Sequence, residues 1–185
     1  MIVHGGKEEK KRYIFYDIET TGLNPMVNKV IGFAWADNNG VCDGVVSDDE
    51  NYVLKKILEV FYEGDGATFV GFNNRRFDDN FVVVRMIKNE FSEENIRFFR
   101  RQKRIDLMSV VMKILCRSRF IGLSSSCELF GVEHDGKDTG RDVINYYVKG
   151  EYEKIYQHNI DDVRATRRLF NKLIESGYGV MMNDW

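Results

Sequence analysis

The sequence predicts an α/β fold with a mixed central β-sheet flanked by helices. Two strand-like segments surround the turn Asp37-Asn38-Asn39-Gly40, and this pattern is typical of an antiparallel hairpin. Later in the chain, a short apolar strand is followed by segments of helical periodicity. Antiparallel strands first, followed by alternating strand and helix, indicate one α/β domain in which the later strands are parallel.

The strands are predicted from their apolar runs. Residues 13–16 are continuously apolar and aromatic, which is typical of a central strand covered on both faces. Residues 28–36 and 41–47 form the predicted hairpin, and residues 67–72 form a fourth strand that ends near Gly71.

Helices are predicted wherever apolar residues recur at helical spacing. The predicted helices are residues 50–62, 78–90, 107–116, 124–130, 141–149 and 151–175. Asp106 is the expected N-cap of the third helix, and Ser124 to Ser126 offer a capping residue for the fourth. Gly177 is expected to end the last helix.

Length and composition indicate a single domain over residues 1–185, with a flexible N-terminus at 1–11 and a C-terminal tail at 177–185. The apolar stretches are too short to cross a bilayer, and residues 1–12 lack the apolar run of a signal peptide. Three scattered cysteines are typical of a reducing compartment, so we expect a cytoplasmic protein without a membrane partner.

The charge is nearly balanced, because 27 Lys and Arg residues face 29 Asp and Glu residues. A high-affinity duplex binder is more often basic throughout. The local exception is the basic run at residues 97–104, which holds five cations together with Phe98 and Phe99. This run is either a solvated face or a surface that pairs with phosphates and stacks on single-stranded bases.

Acidic residues at three separate places are candidates for a functional site. Asp17 and Glu19 end the first strand, and their spacing of two places both carboxylates on one face. The alternative is a strand end that simply turns toward solvent. Asp78 and Asp79 begin a predicted helix, where either could be a plain N-cap, and periodicity does not choose between them.

The last helix separates its two neighbouring acids by helical period. Asp161 shares an arc with charged residues such as Arg164, which predicts a solvated face. Asp162 shares an apolar arc with His158, one turn earlier, and is predicted to point toward the core side. The alternative is a His–Asp hydrogen bond that only fixes the helix. His134 has no partner at ligand spacing and is assigned no role.

Taken together, these segments resemble the DEDD superfamily of 3′-5′ exonucleases, which have an RNase H-like fold. Asp17-Ile18-Glu19-Thr20-Thr21-Gly22 resembles the first motif of that family. Gly71-x-Asn73-x-x-x-Phe77-Asp78 is similar to the second motif, particularly in proofreading domains of family B DNA polymerases and their stand-alone relatives. His158-Asn159-Ile160-Asp161-Asp162-Val163 resembles the third, and the resemblance selects Asp78 at the middle site.

The resemblance implies a two-metal site. Four acids that converge in a core would repel one another without cations, and Mg²⁺ or Mn²⁺ takes oxygen ligands. In the family pattern Asp17 bridges two ions, while Glu19 and Asp162 hold the ion that activates water. Asp78 holds the ion at the leaving group, and His158 is the general base.

The base position departs from the family pattern. Relatives with a catalytic His usually place it five residues before the last Asp, where this chain has Gln157. The spacing of four, at His158, is the one used by relatives that carry Tyr. The family also implies contacts between the terminal nucleotide and a set of residues after the first and within the second motif. These are Thr20, Thr21, Gly22, Leu23, Asn73 and Phe77.

The sequence therefore predicts a metal-dependent 3′-5′ exonuclease that acts on single-stranded ends, with DNA favoured as the partner. An exoribonuclease of the same fold is one alternative, because contacts to the sugar 2′ position cannot be read here. A catalytically inert binding module is another, as is an accessory subunit that docks with a polymerase or a replication or repair protein.

Overall fold

The computed structural model describes residues 11–116, 119–136 and 138–179. Most of the predicted flexible N-terminus and of the C-terminal tail lies outside these ranges. The strands are β1 (Tyr13–Thr20), β2 (Val30–Asp37), β3 (Cys42–Val46), β4 (Thr68–Gly71) and β5 (Lys103–Asp106). The helices are α1 (Glu50–Glu63), α2 (Asp78–Lys88), α3 (Glu93–Arg101), α4 (Leu107–Ile114), α5 (Leu123–Phe130), α6 (Gly140–Lys149) and α7 (Tyr152–Glu175).

The five strands form one mixed sheet in the order β3-β2-β1-β4-β5. β1 pairs antiparallel with β2, and β2 pairs antiparallel with β3, whereas β4 is parallel to both β1 and β5. This arrangement confirms the predicted fold class. β1 lies in the middle of the sheet, as its continuous apolar run predicts.

Side chains of β1 alternate between two hydrophobic layers, because successive residues of a strand face opposite sides of the sheet. Ile14, Tyr16 and Ile18 pack in a layer that includes buried residues of α1, α2 and α3. Phe15 packs in the other layer, which includes buried residues of α4, α5 and α7. The long helix α7 therefore covers the same face of β1 that carries the odd-numbered residues.

The sequence prediction missed α3 and β5, which together contain the basic run. Phe98 and Phe99 are 5% and 1% exposed and belong to the core. The prediction that these two rings stack on nucleic-acid bases is therefore wrong, since neither ring faces solvent. Arg104 is also internal, where its Nε donates to Asp79 Oδ1 at 2.9 Å.

The two predicted N-caps have different outcomes. Asp106 accepts hydrogen bonds from the backbone nitrogens of Met108 and Ser109 and caps α4 as predicted. The predicted serine cap of α5 is wrong, because Gly122 occupies the N-cap position without a side-chain bond. The hydroxyl of Ser126 donates to the Gly122 carbonyl instead. No helix in the described ranges is long and apolar enough to cross a bilayer.

Candidate active site

The first two acids lie at the end of the central strand. Asp17 and Glu19 point to the face of β1 that α7 covers, as their spacing predicts. Asn159 on α7 donates a hydrogen bond from its Nδ2 to Asp17 Oδ2 at 2.7 Å. His158 Nε2 lies 3.5 Å from Glu19 Oε1. The pairing register between β1 and β2 shifts directly after Glu19, so the strand becomes irregular at the point where the acids end.

Space for this contact between β1 and α7 comes from a glycine on the neighbouring strand. Gly32 of β2 lies opposite Glu19 in the sheet. A Cβ atom at Gly32 would stand 3.0 Å from the Glu19 Cβ and 3.6 Å from the Asn159 Oδ1. A Cβ atom there would therefore crowd Glu19, and it would be in ordinary contact with Asn159.

The acid of the third motif faces the same end of the sheet. Asp162 Oδ2 lies 4.0 Å from His158 Nε2, and Asp162 Oδ1 lies 2.9 Å from His134 Nε2. Asp161 instead faces Arg164, at 3.6 Å. The side chains of Asp161 and Asp162 are similarly exposed, at 23% and 22%. The predicted neighbours, Arg164 for Asp161 and His158 for Asp162, are therefore confirmed, whereas the predicted difference in solvent exposure between the two acids is wrong.

The second motif places its two acids in different environments. Asp78 is the first residue of α2, is 4% exposed, and accepts a hydrogen bond at 3.2 Å from the backbone nitrogen of Ile18. This bond places Asp78 beside the residue between Asp17 and Glu19. Asp79 accepts from the Tyr16 hydroxyl at 2.6 Å and pairs with Arg104. Asp79 is thus part of a buried structural network, and Asp78 is the acid that joins the site.

The four acids of the three motifs lie close enough for their charges to interact. Burial, followed by the negative charges of Asp78, Glu19 and Asp162, raises the pKa of Asp17 well above its usual range. Burial and the charges of Asp162 and Asp78 likewise raise the pKa of Glu19. Burial and the charge of Asp79 raise the pKa of Asp78 to about 8. Without a cation, the ionised form of this cluster is unfavourable.

The donor set fits divalent cations in its chemistry. All four acids offer hard carboxylate oxygens, which are the ligands that Mg²⁺ and Mn²⁺ prefer. Within the described ranges, no three His, Cys, Asp or Glu side chains already stand around one point at ligand distance. Binding of one cation by three of these side chains would therefore require them to move closer together.

Two residues near the acids were missed or left without a role by the sequence analysis. Asn159 is 1% exposed and ties Asp17 to α7. Asn159 lies three residues before Asp162 on the same arc of the helix. A polar residue on that otherwise apolar arc was the sequence feature that could have indicated its role. His134 gave no such signal, because its partner Asp162 is 28 residues away. The carboxylate of Asp162 accepts its hydrogen bond and raises the pKa of His134.

A cavity of about 720 Å³ lies beside Glu19. Its lining includes four of the six residues predicted to contact substrate, namely Thr20, Gly22, Leu23 and Phe77. Thr21 and Asn73 are not among the described residues that line it. Thr21 Oγ1 accepts from the Lys29 backbone nitrogen, and the Asn73 backbone nitrogen donates to Asp106. The substrate roles of all six residues stay predictions.

The helix α6 supplies the opposite wall of this cavity, which the sequence did not predict. Thr139, Gly140, Arg141 and Ile144 line it. Asp142 accepts hydrogen bonds from both the backbone nitrogen and the hydroxyl of Thr139, and these bonds fix the first turn of α6. Arg141 is exposed and forms no ion pair or side-chain hydrogen bond with any residue in the described ranges.

A family model of the RNase H superfamily matches residues 14–174, which is most of the chain. The chain belongs to this superfamily. The chain is 27% identical over 172 residues to an uncharacterized protein of Methanocaldococcus jannaschii. The aligned region covers 87% of this chain and 94% of that protein.

Solved structures that are similar to this chain in fold include a DNA polymerase and exonucleases. A family B DNA polymerase from Pyrobaculum calidifontis gives a TM-score of 0.73 at 19% identity, over 89% of this chain and 25% of the polymerase. Escherichia coli Exonuclease I in complex with a dT13 oligonucleotide gives 0.67 at 15% identity, over 94% of this chain and 43% of that protein. Its zinc-bound complex with single-stranded DNA gives 0.57 at 18% identity, over 90% and 43%.

The present chain spans less than half the length of each of these solved proteins. At these identities, the likeness shows the fold. The fold is RNase H-like, and exonucleases are among its structural neighbours.

Proposed function

We propose that this protein is a metal-dependent 3′-5′ exonuclease that hydrolyses phosphodiester bonds at single-stranded nucleic-acid ends, with DNA favoured. The observation that carries the proposal is the convergence of Asp17, Glu19, Asp78 and Asp162 from three separate segments at one end of the sheet. A purely structural role does not account for this cluster, in which burial and the neighbouring carboxylates raise the pKa values of Asp17 and Glu19.

The metal-binding assignment follows the pattern of the exonuclease family that the three motifs resemble. Asp17 is central, since its pKa responds to the charges of the other three, and it is the proposed bridging ligand. Glu19 and Asp162 would share one ion, and Asp78 would serve the other. Two bound Mg²⁺ or Mn²⁺ ions would supply charge stabilisation at the attacking and leaving oxygens.

His158 is the proposed general base. Its ring is 7% exposed, and its Nε2 lies between Glu19 Oε1 and Asp162 Oδ2, at 3.5 and 4.0 Å. A water molecule held by these carboxylates would stand within reach of Nε2, which would accept its proton as the general base. Gln157, at the alternative spacing, is exposed and donates to Glu153 at 2.9 Å, away from the acids.

The cavity beside Glu19 is the proposed site of the terminal nucleotide. Leu23, Phe77 and Ile144 offer apolar surface for a base and a sugar, and Arg141 offers a cation for a phosphate. The loop that carries Leu23 is anchored at two points, because Arg85 donates to the Pro25 carbonyl and Lys88 donates to the Met26 carbonyl. The polarity of degradation and the preference for DNA rest on the family resemblance.

An assay in which the protein is incubated with Mg²⁺ or Mn²⁺ and with single-stranded DNA or RNA labelled at the 5′ end tests the proposal. We expect a ladder of products shortened one nucleotide at a time from the 3′ end of DNA. Faster degradation of RNA would favour the exoribonuclease, and binding without cleavage in either metal would favour the inert module.

A matched pair of variants assigns the activity to the site. Asp162→Asn removes a charge from the acidic cluster and is expected to lower the rate at least about 100-fold. Asp161→Asn changes the neighbouring acid, which faces Arg164, and should leave the rate almost unchanged. Equal effects of the two substitutions would contradict the proposed site.

A further inference from the structure

We propose that His134 is a positioning residue for the carboxylate of Asp162, and that it acts together with Ser124. The inference rests on the proposed function, because it concerns the orientation of one proposed metal ligand. His134 lies outside the three acidic motifs, on the segment between α5 and α6.

The contact between His134 and Asp162 is direct and sheltered. The Nε2 atom of His134 lies 2.9 Å from Asp162 Oδ1, and only 8% of the His134 side-chain surface is exposed. The other ring nitrogen, Nδ1, lies 2.9 Å from the hydroxyl oxygen of Ser124. When Nε2 donates to the carboxylate, a neutral ring has Nδ1 as an acceptor, and the Ser124 hydroxyl can donate to it. Ser124 therefore fixes the ring orientation in which Nε2–H faces Asp162.

The segment that carries His134 is held against α7. Arg168 of α7 donates to the Glu133 carbonyl at 3.2 Å and to Asp135 Oδ2 at 3.0 Å, on either side of His134. Gly136 passes so close that a Cβ there would lie 3.1 Å from His134 Nε2. The imidazole is thus confined by its own segment and by α7, the helix that carries Asp162.

The two oxygens of Asp162 have separate surroundings as a result. Oδ1 is occupied by His134, whereas Oδ2 is directed toward His158 and the side of Glu19. Outer partners of this kind orient a metal-binding side chain, and their loss typically weakens metal affinity by about 10- to 100-fold. We therefore assign to His134 the selection of the Asp162 oxygen that faces the cation.

Calorimetric titration of the nucleic-acid-free protein with Mn²⁺ alone tests the assignment. His134→Ala should weaken Mn²⁺ binding by about tenfold or more. His134→Gln keeps a nitrogen donor near the Nε2 position and should recover most of the affinity. Ser124→Ala keeps the bond to Asp162 but frees the ring, so its loss should be smaller than that of His134→Ala. Glu128→Gln, a change at an exposed position of α5, is the matched control and should bind Mn²⁺ like the parent protein.

The outcomes separate this inference from the proposed function. If the parent protein takes up no Mn²⁺, the proposed function fails. If the parent binds Mn²⁺ and His134→Ala binds it equally well, only the positioning role is overturned. The role is also overturned if His134→Gln binds as weakly as His134→Ala, because the donor nitrogen is then irrelevant. Thermal unfolding of each metal-free variant identifies a variant that fails to fold, in which case Ser124→Ala and His134→Gln decide the question.

Discussion

Asn159 joins the helix of the third motif to the strand of the first, through a 2.7 Å hydrogen bond from its Nδ2 to Asp17 Oδ2. The amide lies next to His158 in the chain and three residues before Asp162. One neutral side chain thus connects the two elements that supply three of the four acids. It also supplies a donor to the Asp17 carboxylate, whose pKa is raised by burial and by its acidic neighbours.

We predict that Asn159→Leu, which keeps the side-chain volume but removes the donor, lowers Mn²⁺ affinity about tenfold. The reason is that Asp17 loses the bond that fixes its orientation. Titration calorimetry gives the affinity, and Asn171→Leu at an exposed position of the same helix is the control. An unchanged affinity for Asn159→Leu would show that the bond has no role in the site.

His158→Ala is predicted to lower kcat by about 10²- to 10⁴-fold while Mn²⁺ binding is retained. This result is expected because the ring acts on the attacking water and not as one of the four carboxylate ligands. Single-turnover degradation of DNA measures the chemical step. Gln157→Ala, at the alternative spacing, should keep the parent rate, and a large loss there would move the base assignment to a different residue.

The stability of the metal-free protein should fall as the pH rises toward 8. The pKa of Asp78 is about 8 in the folded protein and near 3.8 in a free side chain, so the folded state binds more protons across this interval. Unfolding therefore becomes easier as the pH increases. Asp78→Asn removes the ionisation, and in the presence of a chelator it should raise the Tm at pH 8 by about 3 °C or more.

The gain from Asp78→Asn should shrink at pH 5, where the folded parent protein already carries a protonated Asp78. Asp79→Asn is the contrasting variant, because Arg104 then loses its buried carboxylate partner, and the Tm should fall. Thermal melts at both pH values measure these differences. A gain at pH 5 as large as that at pH 8 would argue against the raised pKa.

Arg141→Ala is predicted to raise the KM for single-stranded DNA about tenfold, because one charged hydrogen bond to a phosphate is lost. The dependence of binding on salt should also become shallower by about one counterion. Lys149→Ala removes a cation from the far end of the same helix and should change neither quantity. If both variants behave alike, α6 contributes only general charge and not a specific phosphate contact.

Much of the fold was predictable because its signals are local. The apolar run of β1, the hairpin turn and the helical periods gave the mixed sheet and six of the seven helices in the described ranges. α3 and β5 were missed because five cations in eight residues hide their pattern. Only Phe98 and Phe99 of α3 are buried, and they are adjacent in sequence, so no helical period is visible.

The acids of the site were predictable for a similar reason, since each lies within a short motif on a recognisable element. The contacts that orient them were not. His134 meets Asp162 only because α5 packs on α7 and the chain then returns over that helix. Arg141 borders the cavity only because α6 packs near the end of β1. Tertiary packing, and not local spacing, brings these side chains to the site.

Gly32 carries a consequence for the recognition of inactive relatives. It offers no catalytic group, yet a Cβ atom there would crowd the Glu19 Cβ at 3.0 Å and contact the Asn159 Oδ1 at 3.6 Å. A variant with a bulky residue there would keep every acid of the three motifs and still hold β1 and α7 apart. Inspection of the motifs would therefore classify such a variant as a competent nuclease, although the acids of β1 and α7 no longer meet.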